Sequence, residues 1–228
     1  MIGAIKSVYN YSEGKGLAFH FRQRRAKLIK ELISRLAASH NKPLRILDVG
    51  GTEMFWRAVG YEYLEDTGVH ITLLNLTQAP VERTDLFESM AGDACELPFE
   101  NNSFDLCFSN SVIEHVGDFR RMMMFAEEVR RVAPSYYCQT PNFWFPIEPH
   151  FFFPGYQFLP EPVRVWLNRR FTLGHHKKVP DVKDAYLSVQ SARLLDRTAF
   201  SALFDDARIE RESFLLLSKS LIAIREVS

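Results

Sequence analysis

The stretch "RILDVGGTEMFWR", residues 45–57, decides the fold. Its first part is a short apolar run that ends at Asp48, which is typical of a buried strand. Gly50 and Gly51 follow, and they predict a tight turn whose backbone a ligand can approach without meeting a Cβ atom. A strand that ends in a glycine turn is a common site for a nucleotide-like ligand, although the dinucleotide spacing G-x-G-x-x-G is absent.

Alternating apolar patterns continue along the chain and favour a sheet with helices on both faces. Strands are predicted near residues 69–77, 89–93, 104–109 and 135–142, with two more in 207–226 separated near Ser218. Helices are predicted at 19–38, 118–133 and 191–204, the last with Ser191 as its N-cap. The fold class is therefore α/β: a doubly wound, Rossmann-like, mostly parallel seven-stranded sheet with a C-terminal antiparallel hairpin and an aromatic lid insertion.

The length of 228 residues suits one domain. Within this single domain we predict a helical N-terminal arm (1–42), a cofactor-binding core (43–142), a lid insertion (143–190), and a final helix with strands (191–228). The lid is long, aromatic and rich in proline, and connections of this length are usually functional. Its run "FFFPGYQFLP" is interpreted as packing on its own domain, with a peripheral contact to a membrane surface as the second interpretation.

Composition excludes several classes of function. Lys plus Arg and Asp plus Glu both number 28, so the formal net charge is zero and nucleic acid is disfavoured as a partner. No apolar run is long enough for a transmembrane segment, and the N-terminus does not resemble a signal peptide. Cys95, Cys107 and Cys138 show neither a zinc spacing nor a disulfide framework, which favours a reducing, cytoplasmic location. The sequence sets no expectation for the oligomeric state.

Polar residues recur where the predicted parallel strands end. The carboxyl ends of such strands meet at one edge of the sheet, where ligands bind. Four turns therefore converge on one predicted cofactor crevice, and they contain Asp48-Gly50-Gly51, Asn75, Asp93 and Asn110-Ser111.

The motifs "DVGGTEM" and "GDACELPFENNSFDLCFSNSVIEHV" resemble those of class I S-adenosylmethionine-dependent methyltransferases of the small-molecule type. The runs "DVGGT", "LLNL", "SNSVIEHV" and "QTPN-WFPIEPH" are similar to bacterial methyltransferases associated with cell-surface glycan assembly. The resemblance implies S-adenosyl-L-methionine as the cofactor and a small-molecule acceptor. It further implies transfer to a hydroxyl of a sugar or lipid-linked glycan, with a quinone or other lipid as the alternative acceptor.

Matching the motifs residue by residue gives the candidates for cofactor binding. Asp48 and Gly50 match the first two motif positions, while Thr52 and Met54 stand where further glycines are usual. Asn75 takes the place of the acidic residue that binds the ribose, and Asp93 matches the residue that contacts the adenine amino group. The complete set of candidates is Asp48, Gly50, Gly51, Thr52, Asn75, Leu76, Asp93, Ala94, Asn110 and Ser111.

Two histidines are candidates for the general base that an oxygen nucleophile needs. His115 follows the fourth strand and His150 lies in the lid, and Glu114 or Glu148 could orient either one. The alternative interpretations are that His115 caps a helix or contacts only the cofactor and that His150 is structural. No metal site is expected, because the pair His175-His176 has no third ligand at metal spacing.

Other functions remain open on the residues alone. A nicotinamide dehydrogenase would use the same sheet, but it requires three spaced glycines and an acidic residue after the second strand. A non-catalytic S-adenosylmethionine-binding domain is the other alternative, favoured by Thr52, Met54 and Asn75. The basic run Arg22–Arg25 is interpreted as a solvated helix face, with a phosphate-binding role as the alternative.

Overall fold

A computed structural model describes residues 17–39, 42–174 and 176–227. The predicted N-terminal arm therefore lies outside the described residues over 1–16, 40 and 41. The strands of the protein are β1 (Arg45–Val49), β2 (His70–Asn75), β3 (Phe87–Ala91), β4 (Leu106–Asn110), β5 (Ser135–Pro141), β6 (Arg208–Phe214) and β7 (Leu217–Arg225). Its α-helices are α1 (Leu17–Ser39), α2 (Glu53–Val59), α3 (Tyr61–Asp66), α4 (Phe119–Val132), α5 (Glu161–Arg170), α6 (Val182–Gln190) and α7 (Arg197–Leu203).

The seven strands form one sheet in the order β3-β2-β1-β4-β5-β7-β6. The first five strands pair in parallel, and β7 runs antiparallel to both β5 and β6. This arrangement confirms the predicted fold class. It also departs from the dinucleotide-binding order 3-2-1-4-5-6, because an antiparallel strand is inserted next to β5.

Each face of the sheet carries its own apolar core, as the alternation of side chains along a strand requires. Leu47 of β1 points to the face covered by α4 and α7. Ile46 points to the opposite face, where Ile29 and Ile33 of α1 and Trp56 of α2 are buried. Both faces are covered, so the central strands are apolar throughout, as parallel strands usually are.

Two predicted boundaries near the C-terminus are wrong. Ser191 ends α6 instead of starting a helix, because its backbone N–H donates to the carbonyl of Ser188. The next helix begins later, where the Asp196 carboxylate accepts a hydrogen bond from the backbone of Ala199 at 2.8 Å. The final hairpin turns at residues 215–216 and not at Ser218, which lies within β7.

The lid insertion contains regular structure that the sequence pattern did not predict. Helices α5 and α6 pack on each other through an apolar contact that includes Val165, Ala185 and Val189. Pro162 lies in the first turn of α5, where a missing N–H costs nothing, so proline does not prevent this helix. Phe151 and Tyr156 stack with ring centroids 4.2 Å apart and form a second small core. The lid is thus a folded element packed through its own apolar contacts.

No helix within the described ranges has the combination of length and hydropathy needed to cross a bilayer. Several lid aromatics are nevertheless at least half exposed: Trp144, Trp166 and Phe171.

Arg25 of α1 is not on a solvated face, which corrects the interpretation of the basic run. Its side chain is 11% exposed and its Nε donates to Glu212 at 2.9 Å, while its Nη1 donates to Asn110 at 3.0 Å. The position is four residues after the buried Phe21 and four before Ile29, so the helical repeat places it on the buried stripe. The arginine therefore links α1 to the hairpin and to the end of β4.

Replacing Arg25 with alanine is expected to lower the free energy of unfolding by about 3 kcal/mol, because Glu212 would stay buried without its main partner. Lys219, with its Nζ 3.6 Å from Glu212, supplies only part of the compensation. Urea denaturation measures the change. The exposed neighbour Arg24 provides the matched control, and equal losses for both alanine variants would contradict the buried ion pair.

Candidate active site

A cavity of about 440 Å³ opens at the carboxyl ends of β1 and β4. It is walled by the glycine turn on one side, by α1 and β7 on another, and by the lid. Seven of the sequence-predicted site residues line it: Asp48, Gly50, Gly51, Thr52, Asn110, Ser111 and His150. The predicted convergence of turns on one edge therefore holds for the ends of β1 and β4.

Asp48 is fully buried at the end of β1. Its Oδ2 accepts a hydrogen bond from the indole Nε1 of Trp56 at 2.7 Å, and its Oδ1 has no partner among the described residues. Burial raises the pKa of this carboxyl to about 7, although the Trp56 hydrogen bond opposes the rise. The free oxygen therefore requires either a proton or a cationic ligand.

The two glycines after β1 are required by the packing of the turn itself. Gly50 has φ of +77°, and a Cβ atom there would lie 2.4 Å from Val112. A Cβ atom on Gly51 would lie 1.7 Å from Oδ2 of Asp48. Close approach of a ligand is therefore not needed to explain either glycine, and the turn is a rigid support for Asp48.

Asn75, Leu76, Asp93 and Ala94 lie outside this cavity, at the ends of β2 and β3. The Asn75 amide donates to the carbonyl of Gly51 at 2.9 Å and so holds the glycine turn. Leu76 is 80% exposed. The structure therefore does not bring these four residues into the cavity, and their role in cofactor binding stays a prediction.

Asp93 is already paired in the structure. Both of its carboxylate oxygens accept from Nη2 of Arg121, at 2.8 and 2.7 Å, and Oδ1 also accepts from the backbone of Cys95. The Arg121 guanidinium, followed by the Cys95 N–H, lowers the pKa of Asp93 below its usual range. The side chain is 41% exposed, so its remaining lone pairs face solvent.

Asn110 and Ser111 stand at the end of β4, next to the glycine turn. Asn110 is held by Arg25, as described above. Ser111 has φ of +60°, an uncommon conformation for a residue other than glycine, and its hydroxyl donates to Gln139 at 2.9 Å. Strained backbone held by surrounding hydrogen bonds is typical of functional sites.

The two candidate histidines are in contact, although they lie 35 residues apart in the chain. The Nε2 atoms of His115 and His150 are 3.1 Å apart. On its other side, His115 Nδ1 contacts the carbonyl of Ser191 at 2.8 Å. His150 Nδ1 contacts the Glu148 carboxylate at 2.6 Å, so Glu148 orients the lid histidine.

Glu114 lies beneath this pair, 1% exposed. Its Oε2 accepts from the hydroxyl of Thr140 at 3.0 Å, whereas Oε1 has no partner among the described residues. Desolvation raises the pKa of Glu114. Burial by itself would lower the pKa of His150, but the hydrogen bond and charge of Glu148, with the charge of Glu114, outweigh it and raise that pKa.

A second cavity, of about 530 Å³, lies on the lid side of the histidine pair. Glu148 lines this cavity while His150 lines the first one, so this hydrogen-bonded pair stands between them. Three buried polar atoms on its wall lack a hydrogen-bond partner among the described residues: Tyr156 Oη, Gln157 Oε1 and Arg164 Nε. Such atoms are costly to bury alone, which favours a polar ligand here.

Several residues of the first cavity were not among the candidates from the sequence. Arg25 comes from α1, Lys219 and Ser220 come from β7, and Gln139 comes from β5. Gln139 could have been found from the sequence as a polar residue within an apolar strand. In the structure its relative exposure is 0%. Its amide Nε2 has no partner among the described residues, so a third unpartnered polar atom joins those of Asp48 and Glu114.

The raised pKa of Asp48 predicts a pH effect. A carboxyl whose pKa is higher in the folded than in the unfolded state stabilises below its unfolded pKa, and loses that contribution as the pH rises through the folded value. From about pH 4 to pH 8, the free energy of unfolding of the ligand-free protein should therefore fall relative to that of the Asp48→Asn variant, by up to about 4 kcal/mol.

Urea denaturation of both proteins at several pH values checks this, because the other titrating groups cancel in the difference. A difference that stays constant with pH would show that Asp48 is ionised in the folded state.

Comparison with known proteins gives the class of the domain. A family model described as "Methyltransferase domain" matches residues 47–135, the segment from β1 to the start of β5. Residues 47–135 therefore match a methyltransferase domain, set in a Rossmann-like sheet, and the match implies S-adenosyl-L-methionine as the cofactor. No curated protein sequence matches the chain at a significant level.

Solved structures are similar in fold at low identity. A Rhodobacter sphaeroides protein described as a candidate Zn-dependent alcohol dehydrogenase has a TM-score of 0.51, 10% identity, and coverage of 85% of this chain and 88% of that one. A SAM-dependent methyltransferase from Methanosarcina mazei has a TM-score of 0.45, 13% identity, and coverage of 83% and 95%.

A candidate sarcosine dimethylglycine methyltransferase from Galdieria sulphuraria has a TM-score of 0.37, 19% identity, and coverage of 53% of this chain and 45% of that one. The chain spans about half the length of two of the structures it matches. Likeness at these identities describes the fold alone.

One feature of the first cavity fits S-adenosylmethionine independently of these comparisons. The unpartnered Oδ1 of Asp48 is a buried acceptor on the wall of the first cavity, and the cofactor carries an ammonium group that can donate to it.

Proposed function

We propose that the protein transfers a methyl group from S-adenosylmethionine to a hydroxyl of a sugar or a lipid-linked glycan. The observation that carries the proposal is the layout of the site: a cavity at the glycine turn, a second polar cavity under the lid, and the Glu148–His150–His115 contact between them. Such a layout holds a cofactor and an acceptor on either side of groups that can activate oxygen.

In this proposal the cofactor lies along the ends of the first four strands. Asp48 accepts from the methionine ammonium, and Gly50, Gly51 and Thr52 form the turn around it. Asn75 binds the ribose, and Leu76, Asp93 and Ala94 contact the adenine. Asn110 and Ser111 flank the methionine end. Arg121 holds the Asp93 carboxylate at the edge of this path, and the exposed Leu76 offers an apolar surface to the adenine ring.

The second cavity supports a sugar over a quinone as the acceptor. Its unpartnered atoms belong to Tyr156, Gln157 and Arg164, and a polyhydroxylated ligand can satisfy them. The exposed rings of Trp144 and Phe158 stand beside Phe143 at its wall, and flat aromatic surfaces suit the apolar faces of sugar rings. The carbonyl oxygens of a quinone can only accept, so a quinone would leave the acceptor Gln157 Oε1 without a donor.

When bound, S-adenosylmethionine supplies the electrophilic methyl group of its sulfonium. The protein's part is to align the acceptor oxygen with that carbon, to exclude water with the lid, and to activate the hydroxyl. His150 and its contact His115 are the candidates for this step, because His150 lines the first cavity and its Nε2 lies 3.1 Å from that of His115. General-base assistance of this kind is worth about 10²- to 10⁴-fold in rate.

The exposed lid aromatics also favour a peripheral membrane contact, which would bring a lipid-linked acceptor to the second cavity. The three cysteines are buried and free, in keeping with a cytoplasmic protein.

The test is a titration followed by an acceptor screen. Calorimetry with S-adenosylmethionine, its demethylated product and NAD should show binding of the first two and none of NAD. A labelled methyl donor is then offered with nucleotide sugars, lipid-linked glycans and quinones, and label should enter the sugar hydroxyls. Label in a quinone would overturn the acceptor class, and cofactor binding without transfer to any acceptor would indicate a non-catalytic domain.

A further inference from the structure

Three metal-ligating side chains meet at the centre of the site. Glu114 and His115 belong to the short 3₁₀ helix that follows β4, and His150 comes from the lid. One ligand atom from each of the three lies within 4.8 Å of the other two. Sequence analysis predicted no metal here, because no spacing along the chain connects the lid histidine to the other two residues.

Hydrogen bonds fix which nitrogen of each ring is available. The Ser191 carbonyl can only accept, so Nδ1 of His115 carries the proton and donates. The Glu148 carboxylate assigns the proton of His150 to Nδ1 in the same way. In two neutral rings, both Nε2 atoms then present lone pairs to each other across 3.1 Å. Either a proton on one of the nitrogens or a cation bound by both resolves this contact.

The Glu114 carboxylate, beneath the histidine pair, likewise needs a proton or a cation. Oε1 of Glu114 is buried without a hydrogen-bond partner among the described residues, while Oε2 is held by Thr140. In each of the three side chains, one polar atom is thus held by a carbonyl, a carboxylate or a hydroxyl. The other polar atom, Nε2 of each histidine and Oε1 of Glu114, is left for a metal ion. Outer hydrogen bonds of this kind orient the ligands of protein metal sites.

We propose that Glu114, His115 and His150 bind a divalent cation, with zinc as the best fit to two imidazoles and one carboxylate. Three protein ligands leave an open coordination position, as in catalytic zinc sites. Glu114 and His150 line the first cavity, and in this proposal a hydroxyl of the acceptor takes the open position.

This inference rests on the proposed function for its chemistry. With Nε2 on the cation, the two histidines act as ligands in place of general bases. The coordinated hydroxyl gives its proton to water, because the cation stabilises the resulting alkoxide. An oxygen lone pair then forms the bond to the methyl carbon, and the electrons of the broken carbon–sulfur bond remain on sulfur as a neutral thioether. Glu148 is a positioning residue, which acts by fixing the ring of His150.

The experiment is a zinc titration of the full-length, chelator-treated protein in the absence of S-adenosylmethionine. Calorimetry should show one zinc ion per chain, and X-ray absorption should show a shell of two imidazole nitrogens with oxygen. Glu114→Gln and His150→Ala should each weaken zinc affinity at least about 100-fold, since each removes a ligand. The matched control is His70→Asn, which removes an exposed histidine at the start of β2 and should change nothing.

Thermal unfolding keeps the test decisive if a variant folds poorly. Zinc should raise the melting temperature of the wild type and of His70→Asn, and not that of the ligand variants. Wild-type protein that takes up no zinc, or variants that bind it as the wild type does, would overturn the site. Methyl transfer by the chelator-treated enzyme would refute the catalytic role of the cation and leave the proposed function standing. Zinc bound at these residues without any methyl transfer would support the metal site and refute the proposed function.

Discussion

Replacing Gly51 with alanine is expected to lower the affinity for S-adenosylmethionine by roughly 30- to 150-fold, the equivalent of losing one charge-assisted hydrogen bond of about 2–3 kcal/mol. The new Cβ atom would lie 1.7 Å from Oδ2 and 2.0 Å from Cγ of Asp48. This carboxylate is fully buried and bonded to Trp56, so it must move or the turn must open. Either change removes the acceptor proposed for the methionine ammonium. Calorimetric titration measures the loss.

The same variant should also be less stable by about 1–3 kcal/mol, because the turn is overpacked. Gly68→Ala is the control: its φ of +65° makes alanine strained, but the added Cβ approaches only Pro43, at 3.9 Å. This control should lose some stability and keep cofactor affinity. If Gly51→Ala binds the cofactor normally, the Asp48 carboxylate is not part of the cofactor site.

Replacing His150 with alanine is expected to lower kcat about 10²- to 10⁴-fold at saturating S-adenosylmethionine, through the loss of acceptor activation. The ring is held by Glu148 and contacts His115, whereas the proposed cofactor contacts lie along the strand ends. The cofactor dissociation constant should therefore change little. Steady-state kinetics with the acceptor found by the screen gives kcat, and calorimetry gives the dissociation constant.

His70→Asn is again the appropriate control, since it removes an exposed histidine from the opposite end of β2. An unaltered kcat for His150→Ala would remove His150 from the chemistry. A large rise in the cofactor dissociation constant with unchanged kcat would make His150 a cofactor contact instead.

The sheet could be predicted because its signals are local. Each central strand is a short apolar run with a polar residue or a glycine at its end, as with Asp48 and Asn110. The antiparallel hairpin was predicted from its two consecutive strands, although its turn was misplaced by a few residues. The helices of the lid were not predicted, because their apolar positions are few and proline residues obscured the helical repeat.

The site could be predicted only where the chain places residues at strand ends. Asp48, Gly50, Asn110 and Ser111 come together for that reason. Arg25 reaches Glu212 across 187 residues, and no local pattern reports such a contact. The same holds for the meeting of His150 with His115 and Glu114, which depends on how the lid folds back over β4 and β5.

The interpretation of individual residues changed as well. The glycine turn was predicted from the ligand it would hold, but Val112 and Asp48 already require glycine at both positions. Asp93 was predicted to contact the adenine amino group, and in the structure its carboxylate also accepts from Arg121. Val112 and Arg121 lie far along the chain from Gly50 and Asp93, and the contact of Asp48 with Gly51 depends on how the turn folds, so only the folded structure shows these neighbours.

A crystal structure of the protein soaked with S-adenosylmethionine tests the central claim most directly. We expect the ammonium nitrogen within hydrogen-bond distance of Asp48 Oδ1, the ribose beside Asn75, and the sulfonium methyl directed at the His115–His150 contact. Electron density for the compound in another part of the molecule, or an Asp48 Oδ1 that keeps no partner in the complex, would contradict the assignment of this cavity.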